Sequence, residues 1–197
     1  TIPEGDDEAI VMTRSFVSQA SLLMRLGARL ASTDFATDLD AMPARWSETA
    51  PFVRQAFELA ASAPSRLVVL GAGSAFGIAN EAVLKITETG QVPASAFHPL
   101  EFRHGPMSVC EPGMIVAAVL GGTTTADERR VVDEAAALGA TPFVLGPDGP
   151  GADLHPTARL PLAMYVLQAL AFGAAVGRGL DLEAPRHLEQ VVVIEGK

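Results

Sequence analysis

Apolar positions near the start of the chain keep a helical beat. Met12, Phe16, Leu23, Leu26 and Leu30 recur at steps of three, four or seven, which predicts an amphipathic helix over about 8–31, after a polar lead-in "TIPEGDD". A second helical stretch, 35–62, is predicted to break near Pro43 and Pro51, because proline can open a helical turn but has no N–H to continue one. The period changes at Arg66. "RLVVLGAGS" is a short continuous apolar run ending in Gly-Ala-Gly-Ser, and helical spacing resumes from about Ala75 to Glu88. "GMIVAAVLGG" (113–122) and a helix around Asp127 to Leu138 repeat the unit, and "TPFVLGPDG" (141–149) adds a third strand and loop. A last helix over 161–178 and an extended tail, "QVVVIEG", close the chain. Strands that are apolar on both faces and alternate with helices predict an α/β fold, a three-layer sandwich whose mostly parallel sheet is flanked by helices. Ligands of such a sheet sit beyond the carboxyl ends of its strands. Residues 1–62 read as a helical segment packed on the core formed by 63–197.

Composition narrows the function. The 197 residues suffice for one domain with a sizeable core, and 49% apolar against 19% charged residues is globular. A net charge of -9, with no run of Lys or Arg, excludes a nucleic-acid surface, which needs clustered cations against phosphate. A small anion is still compatible, because a few backbone N–H groups can hold one. Cys110 is the single cysteine, so there is no intramolecular disulfide and no cysteine-based metal site; a reducing cytoplasm is expected. No secretory signal pattern is present. The apolar run Leu160 to Gly177 reaches the lower limit of a membrane span, but Pro161, Gln168 and its many Ala and Gly residues predict a core or interface helix and no membrane.

Three features carry candidate chemistry. The turn Gly71-Ala72-Gly73-Ser74 offers N–H groups at a helix start, suited to an anion, but "GAGSAFG" places its third glycine one residue late for a dinucleotide fingerprint. Its plain reading is a tight turn with Ser74 as N-cap. Glu81, Lys85 and Glu88 fall within about 60° of one another on a helix. That spacing describes a solvated face as well as a site in which a carboxylate moves a proton beside a cation. His104, held in "RHGP", is either a turn residue or a proton shuttle near neutral pH. His98, His155 and His187 show no metal-ligand spacing, and no G-x-S-x-G elbow occurs, so no metal or other cofactor is expected.

In chain order, four stretches resemble the sugar isomerase (SIS) domain family: "EAIVMTRSFVSQ" (8–19), "EAVLKITE" (81–88), "EFRHGPMS" (101–108) and "GLDLEAPRHLEQVVVIE" (179–195). They are similar to the second SIS half of amino-sugar-phosphate isomerases, deaminases and aminotransferases. The resemblance implies a flavodoxin-like doubly wound sheet and enediol-type proton transfer on hexose or hexosamine 6-phosphates. It implies that Glu88 is the base, Lys85 a cation beside the reacting sugar, and His104 a ring-opening group contributed across a homodimer interface. The Ile10, Val11 and Thr13 segment lines the sugar pocket, with Glu81 and Arg103 as further substrate contacts. On this reading Glu88 looks into a pocket at the carboxyl edge of the sheet.

Two departures bear on the expected activity. Gln190 stands where the aminotransferases of this family carry a Schiff-base lysine, and an amide cannot form that imine. The family's Ser-x-Ser-Gly-x-Thr phosphate grip is not found, and the chain starts at Thr1, so a first SIS half is expected outside it. The alternative is a non-catalytic sugar-phosphate sensor.

Overall fold

The computed structural model describes residues 10–33, 35–121 and 125–188. The expected helices form as α1 (Arg14–Leu30), α2 (Phe35–Ala41) and α3 (Ala50–Ala60), with a 3-10 stretch, Met42–Thr49, between the last two. Pro43 and Pro51 each sit in the first two positions of their helical segment, where a missing N–H costs nothing. Beyond them, β1 (Arg66–Gly71), α4 (Ser74–Lys85), β2 (Ala94–Phe97), α5 (Pro99–Arg103), β3 (Met114–Val119), α6 (Thr125–Ala137), β4 (Thr141–Leu145) and α7 (Leu160–Gly177) follow. All strand pairs are parallel, in the order β2-β1-β3-β4, with Leu67 opposite Ala94 and Ile115, and Ile115 opposite Thr141. The fold is the expected doubly wound α/β sandwich.

Alternation along β1 separates the two layers of core. Leu67 and Val69 point towards α3, α4 and α7, while Val68 and Leu70 join Phe102 of α5 and Val131, Val132 and Ala135 of α6. The sequence pattern missed β2. Its four residues are all half-buried and lie at the sheet edge, so they never form the continuous apolar run that marks β1 and β3. The Ser74 cap also needs correction. Gly73 occupies the N-cap position at φ +56°, a conformation that glycine adopts freely, and Ser74 is the first helical residue with no side-chain cap bond.

The helix α7 has the length and composition of a membrane span but is 72% buried within the protein, where α3 and α4 cover it. Its glycines let α3 approach. A Cβ on Gly173 would lie 2.4 Å from the Phe57 carbonyl oxygen, and one on Gly177 would lie 2.3 Å from that of Ala61. A methyl group at 173 forces the two helices apart, so Gly173→Ala is expected to cost about 2 kcal/mol. For a domain of this size that lowers the melting temperature by about 4–8 °C. An unchanged melting temperature would mean that the helices do not pack at this distance.

Candidate functional site

The charged stripe is not a solvated face. Lys85 is 5% exposed, and its Nζ lies 3.0 Å from Glu88 Oε2 and 3.3 Å from Glu81 Oε1. The two carboxylate side chains keep 13% and 26% of their surface. Three charges are therefore gathered at the end of α4 and in the turn that follows it, where desolvation is costly unless the charges match. Helix geometry sharpens the arrangement: after Lys85 the backbone widens into one π-type turn, Ile86–Gly90, which carries Glu88. Such turns insert a residue and re-aim the side chain that follows. Beside the cluster, Lys85 lines a 250 Å³ cavity with Thr13, Thr89, Tyr165 and Gln168.

The entry segment of α1 comes to the same place. Val11 is buried, Ile10 and Thr13 are half-buried, and the Thr13 carbonyl accepts a 3.3 Å hydrogen bond from Gln168 Nε2. Of the residues chosen from sequence, Thr13 and Lys85 thus line one cavity, and Glu81 and Glu88 hold the Lys85 ammonium beside it. Gln168, Thr89 and Tyr165 were not chosen. A lone amide within the otherwise apolar run of α7 was the readable signal for Gln168, and it served only as an argument against a membrane span.

One expectation is corrected. Glu88 does not sit at the carboxyl edge of the sheet. Helix α4 starts three residues after the last residue of β1 and runs back the height of the sheet, so its last turns lie at the amino edge. There the N–H of Leu67, near the start of β1, donates to the Pro93 carbonyl at 3.0 Å. Within one chain Glu88 and His104 are not brought together. α4 covers one face of the sheet, whereas α5, which His104 caps, packs through Phe102 into the opposite face. His104 is exposed, and neighbouring Arg103 is engaged in a bidentate pair with Glu134 of α6 at 2.7 and 2.8 Å, so it anchors the loop rather than pointing at the Lys85 cluster. Among the other histidines, His98 stacks on Phe76 at 4.2 Å and His155 on Phe35 at 5.2 Å. The tail with Gln190, together with Glu8 and the rest of the lead-in, lies outside the described residues.

Burial raises the Glu81 carboxyl above its ordinary value, with Lys85 pulling the other way. The folded state then holds its proton at pH values where the unfolded chain has released it. This group's contribution to stability is fully present below the ordinary carboxylate pKa and is lost as pH rises through the raised one. Carboxyl-detected NMR is expected to show Glu81 titrating above the solvent-exposed glutamates. Titration among them would contradict the burial.

Comparison with known proteins adds a likeness. Residues 61–149 match the family model of the SIS domain. A glutamine–fructose-6-phosphate aminotransferase [isomerizing] of Leifsonia xyli is 29% identical, over 97% of this chain and 36% of that protein. One of Sulfolobus acidocaldarius is 26% identical, over 97% and 34%. The chain thus spans about a third of the length of the curated relatives it matches. A crystal structure of glucosamine-6-phosphate deaminase from Thermotoga maritima superposes with a TM-score of 0.82 at 28% identity, over 96% of this chain and 59% of that one. The C-terminal domain of glucosamine-fructose-6-phosphate aminotransferase from Francisella tularensis shares the fold, with a TM-score of 0.75 at 19% identity, over 89% and 56%.

Proposed function

We propose that the chain, which matches the SIS domain model over residues 61–149, binds a hexose or hexosamine 6-phosphate and supplies the proton-transfer groups of an aldose–ketose isomerisation or deamination. The observation that carries this reading is the buried cation. Lys85, 5% exposed between two carboxylates, is a costly element for a helix that merely covers a sheet, and a pre-organised one for handling a developing oxyanion.

The chemistry follows from the groups. Glu88 removes the proton from the carbon beside the sugar carbonyl, the C–H pair becomes the C=C bond of an enediol, and the carbonyl oxygen takes up a proton. Return of a proton to the other carbon, with loss of the hydroxyl proton from the first carbon as its oxygen becomes the new carbonyl, completes the shift. Lys85 pairs with Glu88 at rest and steadies the oxygen as charge builds on it. The backbone of Ile10, Val11 and Thr13 positions the open chain, and Glu81 holds the Lys85 ammonium from its other side. His104, exposed and on the far face, assists ring opening from a second copy of the chain. The likeness to the Thermotoga maritima deaminase, which extends over nearly the whole chain, supports this class of reaction.

The test is solvent-deuterium incorporation at C1 of fructose 6-phosphate, followed by proton NMR in D2O with the protein present. Catalysed exchange supports proton transfer. The second reading, a sensor, is favoured by Gln190 in place of the imine-forming lysine. It predicts tight binding of the sugar phosphate with no exchange.

A further inference from the structure

We propose that the carboxyl edge of the sheet is a second small-molecule site, for a small hydroxylated organic anion, distinct from the Lys85 cluster. A 600 Å³ cavity opens there between the turns that follow β1, β3 and β4 and the start of α7. The neighbours β1 and β3 send their helices to opposite faces, α4 to one and α6 to the other, which leaves a crevice between the two turns. Doubly wound sheets take ligands at such a point. The Lys85 cluster leaves it unused.

The lining matches one kind of ligand. Arg159 is half-buried, and its Nε and both terminal nitrogens donate to the carbonyls of Pro150, Pro147 and Gly146, each at 2.9 Å. The guanidinium is thereby fixed in place by neutral oxygens, while Asp148, Asp153 and Glu48 act on it only through space. Helices α4 and α7 both begin at the cavity, and neither has an acidic residue in its first turn to offset the positive end of its dipole. A Cβ on Gly73 would meet nothing within 4 Å, so the space in front of that turn is open. These features favour an anionic group at Gly73, Ser74 and Arg159.

The remaining lining favours hydroxyls. Glu128, 1% exposed, sets a carboxyl group in the cavity wall, where a ligand hydroxyl can meet it. Thr157 brings a hydroxyl, and its N–H donates to His155 Nδ1 at 3.2 Å, which leaves the other ring nitrogen of His155 as a donor. A bare inorganic anion would use the first set only, and a neutral polyol the second only. The site is also physically separate. Ser74 opens α4 and Lys85 ends it, and twelve residues of helix span about 18 Å.

Calorimetry with glycerol 3-phosphate as the probe, beside inorganic phosphate and glycerol, tests this on the intact protein. Glycerol 3-phosphate is expected to bind about ten-fold more tightly than either fragment. Ser74→Asp places a negative charge in the first turn, which favours the helix but opposes the ligand, and should weaken binding about ten-fold or more. Thr157→Val, checked for fold by circular dichroism, should weaken it less, and Glu88→Gln should leave it unchanged. The proposal is overturned if glycerol 3-phosphate gives no heat at millimolar concentration, if phosphate alone binds equally well, or if Glu88→Gln removes binding that Ser74→Asp retains. Glu88→Gln acts on the proton-transfer reading and Ser74→Asp on this one, so the failure of either is told apart.

Discussion

Replacing Lys85 by methionine is expected to destabilise the protein by about 2–3 kcal/mol at neutral pH. The change keeps much of the side-chain volume but leaves Glu81 and Glu88 facing each other without their cation. Removing one partner of a buried ion pair costs about 3–5 kcal/mol. Here the two carboxylates retain 13% and 26% of their surface, which lets water soften the loss. For a chain of this size the melting temperature falls by about 5–10 °C. The sign of the pH dependence is diagnostic. Without Lys85 the raised Glu81 carboxyl rises further, because the cation that opposed its desolvation is gone. The folded variant then holds protons that the unfolded chain has lost, so its stability falls as pH rises through the raised value. The gap between wild type and variant should therefore shrink as the solution is acidified towards the ordinary carboxylate range. Melting curves from pH 4 to pH 8 read it directly. A Lys85→Met protein as stable as wild type at every pH would return the stripe to an ordinary surface ion pair.

Mixing two inactive variants should restore activity if the site is built from two chains. Glu88 and His104 lie on opposite faces of the sheet, so no single chain closes a site from both. In a two-fold dimer each site would take its base from one subunit and its imidazole from the other. Glu88→Gln and His104→Ala proteins, each alone, carry one defect in every site. Unfolded together in equal amounts and refolded, they form mixed dimers in which one site is intact and the other doubly defective. About a quarter of all sites then recover, set by random pairing of two-fold dimers. The isomerisation rate should rise from near background to about that fraction of wild type. A mixture no more active than its components would remove His104 from the shared site.

Much of this architecture was legible in the chain because burial writes itself into the period of apolar residues. β1 and β3 are covered on both faces and read as unbroken runs, while α7, surrounded by its own protein, reads as apolar nearly all round. The edge strand β2 was invisible because its four residues are half-buried. The charged stripe was found but not its setting. A polar row facing a partner helix has the same spacing as one facing water, and only packing against α7 and the Thr13 segment separates them. The placement of Glu88 at the carboxyl edge failed for a topological reason. The loop after β1 is at that edge, but the helix it starts carries its last residues to the other end of the sheet. Arg103, chosen for its motif, is tied to Glu134 by a pair separated by 31 positions, which no local pattern encodes.

The account turns on Glu88 as the group that takes the proton. The most direct measurement compares wild-type and Glu88→Gln proteins for deuterium incorporation at C1 of fructose 6-phosphate in D2O, with sugar-phosphate binding measured in parallel. Glutamine keeps the shape and cannot accept the proton, so exchange should fall by about 10²–10⁴-fold while binding changes little. Equal exchange by the two proteins would contradict it, and Glu88 would then be no more than a counter-ion for Lys85.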